Sequence, residues 1–478
     1  FELLIVGSLG AAFVPVFTKL TAKKDWHDAW EYVSGMLVTV VLGIAVFAVC
    51  GVFFAPQFVH FIVPGFPEEK MILTTHLVRI MFLSPIFLTA SAILGSVLVS
   101  FRQFIFYSMA PLFYNCGIII GAVFFVPYCG ISGLAWGVVF GSFLHFCTNF
   151  IAASVAGFRF SLLHNLFFRN PYVKKTIYLM LPRMFTSTSN QISLLLTTFF
   201  ASALAAGSIT IVTFATNIQS VVLGLIGIPF SLAAFPVLSK KFATGKMEEF
   251  VGVFSQTLRR ILYYAVPLSV IFFILREQLV RVIYGAGHFD IEDTILTYNV
   301  LGILCISLFA QSIIPLLARG FYAMQNTKTP FYIALAAQVV NVVVIFFFIR
   351  SIGVYAIACG FSCAAIVNAL ILFFIFHRRV HGHEYNDTMR TILQILIASF
   401  VVVITTHFVR NLAGELLPLQ YVWGVLVQLV VSCVCGGVTY LFITAIFEMR
   451  EYETIKKKII IRIFGRPQVA TEQQNIIR

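Results

Sequence analysis

Continuous apolar stretches of about twenty residues or more recur along almost the whole of this 478-residue chain, and nothing else restricts its fold so severely. That length matches the ~20 residues a helix needs to cross a hydrocarbon core. Thirteen are distinguished, at 1–18, 29–55, 72–100, 105–126, 131–156, 174–204, 209–238, 252–275, 295–318, 331–349, 353–377, 390–411 and 421–447. The runs are continuous rather than alternating in ten-residue segments, so they predict helices that satisfy their own backbone groups and exclude a β-barrel. With 60% of residues hydrophobic and 11% charged, against about a quarter charged in a soluble domain, the chain is expected to be an all-α polytopic membrane protein.

Orientation follows from the cations. Lys19, Lys23, Lys24, Arg159, Arg169, Lys174, Lys175, Lys240, Lys241, Lys246, Arg259, Arg260, Arg378, Arg379 and the tail Lys456 to Lys458 all fall in alternate loops, which are therefore cytoplasmic, as is the C-terminus. The opposite loops carry only Lys70, Arg276, Arg281, Arg350 and Arg410, and the one from Glu277 to Asp293 is mainly acidic. The net charge of +13 thus reads as topology. With no basic patch interleaved with exposed aromatics on a soluble module, nucleic acid is not expected as a partner. The nine cysteines sit inside apolar spans without a CxxC pair, as small packing residues do. His377, His381 and His383 stand beside Arg378 and Arg379, a pattern suited to an anionic lipid surface rather than to a metal. No metal and no cofactor is expected.

The chain repeats itself. Ala11-Ala12-Phe13-Val14-Pro15-Val16 returns as Ala233-Ala234-Phe235-Pro236-Val237, with the prolines 221 positions apart, and Val59-His60-Phe61-Ile62 returns at the same offset as Val280-Arg281-Val282-Ile283. The octet from Gly130 to Gly137 matches Gly353 to Gly360 at an offset of 223, and Asn115 and Asn341 are 226 apart. Two pseudo-symmetric six-helix lobes plus two C-terminal helices are the economical reading. The first-half partner of the span 174–204 would precede residue 1, so the first helix is expected to be missing, which agrees with an odd number of spans and a first residue that is not Met. The expected domains are an N-terminal lobe at 1–158, a C-terminal lobe at 174–377, two further helices at 390–447 and a basic cytoplasmic tail at 448–478. Parallel repeats of this construction place substrate at their interface near the bilayer midplane.

Charges inside spans are expensive, so the short list is informative. Arg79 lies about a turn and a half before Pro85, and Arg183 follows Pro182. Downstream of Arg183, Thr186 to Gln191 is too polar to face lipid, and Asn190 and Gln191 are candidates to line a cavity with Asn217 and Gln219 of the next span; interhelical polar packing is the competing reading. A guanidinium suits phosphate oxygens because it is permanently charged and donates in a fork. Enzyme chemistry finds no support: there is no Ser-His-Asp constellation, no GxxxxGK[ST] loop and no HExxH, and the in-span His76 and His145 lack a neighbouring carboxylate.

Three stretches resemble the MviN/MurJ family of the multidrug/oligosaccharidyl-lipid/polysaccharide exporter superfamily: Gly7-Ser8-Leu9-Gly10-Ala11-Ala12-Phe13-Val14-Pro15-Val16, Gln191-Ile192-Ser193-Leu194 with Phe200 to Ser208, and a loop holding Gly320, Phe321, Tyr322, Gln325, Lys328, Thr329 and Pro330 in the pattern GFYxxQxxKTP. The resemblance implies two six-helix lobes in a V and a cationic cavity that opens alternately to each side. Its implied substrate is lipid II, a polyprenyl-diphosphate-linked cell-wall precursor, with the diphosphate on arginines and the tail beside the last two helices. Arg79 matches a basic position of the family's fourth helix. Where many members have an Asp-Arg pair on the eighth helix this chain has Thr216-Asn217, and the Glu-Gly of the second helix is Val6-Gly7. Arg183 is read as supplying the missing positive charge. The implied function is a flippase of the bacterial cytoplasmic membrane, with membrane lipids and the cell-wall synthesis machinery as partners. Alternatives are an exporter of another polyprenyl-linked saccharide, or a cation-coupled drug exporter, for which no mid-span carboxylate is present.

Overall fold

The computed structural model describes residues 2–22, 25–101, 103–160, 170–186, 188–285, 289–380, 385–454 and 456, with side chains at 2–8, 10, 11, 181–186, 188–190, 385 and 386 outside the description. The described residues are helical throughout, with turns between, and divide into two compact units, Phe1–Ala203 and Leu204–Arg478. Ten helices or near-continuous helix pairs among them are long and apolar enough to cross a membrane, and a further pair bent by 48° makes an eleventh. The remaining two expected spans, 1–18 and 174–204, fall on helices described only in part.

Unit 1 comprises α1 (Glu2–Ala22), α2 (Trp26–Ile62), α3 (Glu68–Met81), α4 (Ser84–Ser100), α5 (Phe104–Ile120), α6 (Val126–Cys129), α7 (Ser132–Val155), α8 (Pro171–Thr186) and α9 (Thr188–Ser202). The span expected at 72–100 is broken into α3 and α4 because Pro85, at the start of α4, cannot donate a backbone hydrogen bond into the preceding turn. Between α5 and α6, Gly121–Phe125 winds as a π-helical turn. The α5–α7 seam is built on glycine: a Cβ added at Gly117 would collide with the backbone of Gly141, and one at Gly121 with that of Gly137. Close backbone approach of this kind replaces the hydrophobic driving force that lipid cannot supply. The α8 helix packs on α1 and α2, where the Tyr32 hydroxyl and Thr176 Oγ1 share a buried hydrogen bond of 2.7 Å. The sequence repeat assigns this segment to the second half; by contact it sits in unit 1.

Unit 2 comprises α10 (Ser208–Val222), α11 (Ile228–Ala243), α12 (Met247–Ile274), α13 (Arg276–Tyr284), α14 (Ile291–Ile306), α15 (Leu308–Ala323), α16 (Lys328–Ile352), α17 (Tyr355–Arg379), α18 (Tyr385–Leu416) and α19 (Val422–Ile446). Its core gathers α12, α15 and α17, with Phe254 and Phe376 stacked at 4.0 Å between centroids. The two additional helices lie against α12 along a polar ladder. At one end Arg259 pairs with Glu451 at 3.7 Å, both 7% exposed, and donates to Thr388 Oγ1 at 3.1 Å. In the middle Tyr440 Oη donates to the Tyr263 carbonyl at 2.7 Å, the carbonyl that Pro267 leaves without a helical donor. At the other end Gln278 donates to Gln428 at 3.1 Å, and Arg410 caps the last carbonyl of α12, Ile274, at 3.2 Å.

The repeat is visible in the backbone. Gly130 and Gly353 both adopt a left-handed φ, +58° and +55°, and each precedes its octet's helix, α7 or α17. Both units also tie a broken span to the same neighbour through paired serines: Ser84 at the start of α4 with Ser142 of α7, and Ser307 at the start of α15 with Ser362 of α17 at 3.0 Å. Pseudo-symmetric broken spans are the construction that places binding sites in transporters built from repeats.

Candidate functional site

The side chain at Arg79 is organised by a fault in its neighbour. Pro56 inside α2 has no N–H, so the Val52 carbonyl, four residues earlier, lacks its helical donor. Arg79 Nε on α3 supplies one at 3.1 Å. The guanidinium is exposed, and no carboxylate lies within ion-pair distance of it among the described residues. It is thus oriented through Nε, and among the described residues its two terminal nitrogens make no hydrogen bond.

The other candidates distribute between the units. Gln191, half-buried on α9, is in unit 1, while the side chains of Arg183 and Asn190 lie outside the described residues. Asn217 and Gln219 are both on α10 in unit 2, yet two residues turn a helix through about 200°, and they point opposite ways. Asn217 is exposed, whereas Gln219 is 2% exposed with its amide nitrogen unpartnered. The two amides therefore do not share one face of α10, one being exposed and the other buried.

The GFYxxQxxKTP loop forms a corner between α15 and α16. Gln325 takes φ +57°, with its N–H on the Tyr322 carbonyl at 2.9 Å and the next N–H, of Asn326, on the Phe321 carbonyl at 2.9 Å, which is a Schellman closure. Asn326 then accepts from the Thr329 N–H at 3.1 Å and donates to Thr329 Oγ1 at 2.9 Å, opening α16, where Pro330 is buried. Phe321 is fully buried, edge-on to Phe376, and Gly320 leaves room for the Phe376 and Phe254 rings. Tyr322, Gln325 and Lys328 remain exposed.

One cation escaped the sequence reading. Arg319, one residue past the expected end of its span, donates through Nη1 to Ser231 Oγ and, at 3.2 Å, to the Ile228 carbonyl of α11. The signal was its position within the helical run of α15, which a cut at residue 318 discarded.

The family model described as "Lipid II flippase MurJ" matches residues 1–431. The chain belongs to this family. Among its curated relatives, the probable lipid II flippase MurJ of Buchnera aphidicola is 27% identical over 462 residues, covering 93% of this chain and 87% of that protein. The lipid II flippase MurJ of Burkholderia cenocepacia is 26% identical, covering 84% and 79%, and the probable flippase of Vibrio cholerae is 28% identical, covering 83% and 77%. Among solved structures, lipid II flippase MurJ in an inward closed conformation aligns with a TM-score of 0.75 at 23% identity, covering 93% of this chain and 89% of that one. An inward-facing multidrug resistance MATE family transporter of the MOP superfamily aligns at 0.65 and 13% identity, covering 79% and 87%. These alignments show the shared fold. Family membership makes the chain a bacterial membrane transporter rather than a member of an enzyme family.

Proposed function

We propose that this chain carries lipid II from the inner to the outer leaflet of the bacterial cytoplasmic membrane by alternating access, for peptidoglycan synthesis. The C-terminus is cytoplasmic, and the substrate is handed to cell-wall synthesis machinery on the far side. The observation that carries the reading is Arg79, a guanidinium within a spanning helix that is oriented by a backbone carbonyl and has no carboxylate partner among the described residues. A permanent charge in that setting is compensated by an anionic ligand or by water in a cavity, and a diphosphate suits its fork. Arg183, Asn190, Gln191 and Asn217 are proposed as further polar contacts of the same substrate. The two C-terminal helices are proposed to flank the polyprenyl tail.

The test is complementation of a flippase-depleted bacterium, scored by externalised lipid II. Growth and externalisation are expected with the wild-type sequence and are expected to fail with Arg79→Ala. Good membrane expression without restored externalisation would reassign the chain to another polyprenyl-diphosphate-linked saccharide.

A further inference from the structure

The repeat offset that relates Val59 to Val280 also relates Val52 of unit 1 to Phe273 of unit 2. In unit 1 the Val52 carbonyl takes the guanidinium of Arg79. In unit 2 the Phe273 carbonyl takes a guanidinium as well, from Arg276, whose Nη1 donates at 2.6 Å. The reasons are related. Pro56 removes the donor to Val52, and α12 ends at Ile274, so Phe273 lies in the last turn, whose carbonyls lack helical donors.

The position that Arg79 occupies on α3 also has a match on α14, where the Arg276 side chain packs. Helices α3 and α14 begin at Glu68 and Ile291, 223 positions apart, and Arg79 and Gly302 each stand eleven residues in, about 16 Å along the axis. Unit 2 has no side chain at that position, and the Arg276 stem occupies the space: a Cβ at Gly302 would stand 2.9 Å from Arg276 Cδ. The guanidinium carbon lies 4.8 Å from the Phe273 ring centroid and 5.7 Å from that of Tyr298. The adjacent Glu277 pairs instead with Arg281 at 3.7 Å, and among the described residues no carboxylate pairs with Arg276. Among the described residues Nε and Nη2 make no hydrogen bond and remain available as donors. A purely structural cap would need one nitrogen and no aromatic walls.

We infer that Arg276, seated over Gly302 and held by Phe273 and Tyr298, is a phosphate-contacting residue of unit 2, the repeat-related counterpart of Arg79 in unit 1. The phosphate belongs either to a polyprenyl diphosphate or to a bilayer phospholipid. Choosing the polyprenyl diphosphate rests on the proposed function; the guanidinium site itself does not.

The experiment uses the full chain in nanodiscs of zwitterionic lipid, with undecaprenyl diphosphate and phosphatidylglycerol as separate probes read by native mass spectrometry. Arg276→Ala is expected to weaken undecaprenyl diphosphate binding about tenfold, as loss of one charge-assisted contact would. Arg276→Lys retains the charge but not the fork and should lose several-fold. Gly302→Ala leaves the net charge intact and displaces the arginine stem, so it should also lose several-fold, whereas an effect of charge alone would leave it unchanged. If Arg276→Ala does not fold, the lysine and Gly302 variants decide the matter. Wild-type affinity for both probes in Gly302→Ala and Arg276→Lys overturns the inference; a loss confined to phosphatidylglycerol upholds the phosphate contact and gives it to ordinary lipid, overturning only the polyprenyl diphosphate. If Arg79→Ala loses binding and Arg276→Ala does not, only this inference fails; if neither loses binding to either probe, both this inference and the reading of Arg79 fail.

Discussion

Arg79 Nε lies 3.1 Å from the carbonyl oxygen of Val52, the acceptor that Pro56 strips of its helical donor. One side chain thus closes a gap in the α2 ladder and carries a charge within a spanning helix that no carboxylate among the described residues pairs with, and the two roles can be separated. Arg79→Ala should cost about 1–3 kcal/mol by orphaning Val52, seen as a lower unfolding temperature in detergent. Adding Pro56→Ala restores a backbone N–H to that carbonyl, so the double variant should recover the stability. It should still fail to complement a flippase-depleted strain. Recovery of growth together with stability would reduce Arg79 to a structural patch.

The Arg259–Glu451 pair joins α12 to the segment following α19, with both side chains 7% exposed. Removing one partner leaves a buried charge, so Arg259→Leu should destabilise by about 3–5 kcal/mol. The double variant Arg259→Leu with Glu451→Leu should recover most of that loss, because neither charge then needs a partner. A double variant as unstable as the single one would show that the hydrogen bond from Arg259 to Thr388, rather than the ion pair, holds the seam.

Glycines on helices of similar hydropathy should respond differently. Gly121 faces the Gly137 backbone across the α5–α7 seam, and neither backbone can yield as a side-chain tip does. Gly121→Ala should therefore cost about 1–3 kcal/mol through overpacking. Gly437 on α19 has nothing within 4 Å of an added Cβ, and Gly437→Ala should be neutral or stabilising by up to about 1 kcal/mol. Unfolding temperatures measured side by side would check the contrast.

Apolar length marked the spans well because lipid tests every residue of a helix against one criterion. The breaks were legible only where a residue type enforces them. Pro85 announces the break before α4, but the matching break at Ser307 has no glycine or proline beside it, and Pro315 comes eight residues later. Arg276 and Arg319 each stand one residue beyond an expected span end, 275 and 318, so the loop assignment takes Arg276 and the list of in-span charges omits Arg319, although α13 and α15 continue the helical run. Asn217 and Gln219 looked alike by composition, and only the helical rotation between them separates an exposed amide from a buried one. The polar ladder from Gln278 to Glu451 was invisible because its partners lie more than a hundred positions apart.

Gln325 offers a test of what the most specific motif contributes. Its φ of +57° is a conformation that L side chains enter at a cost of about 1–2 kcal/mol, and the Schellman closure around it fixes the angle between α15 and α16. If the position is occupied for the turn alone, Gln325→Gly should stabilise the chain by roughly 0.5–1 kcal/mol and leave transport intact. The side chain is exposed, with none of its polar atoms bonded among the described residues, so no internal contact is lost. Gly320→Ala should act in the opposite sense, because the added Cβ meets the Phe376 ring at 2.7 Å and the Phe254 ring at 3.1 Å. A stabilised Gln325→Gly that nevertheless fails in complementation would move the amide from folding to function, as a surface contact used when the α15–α16 corner meets substrate or a partner.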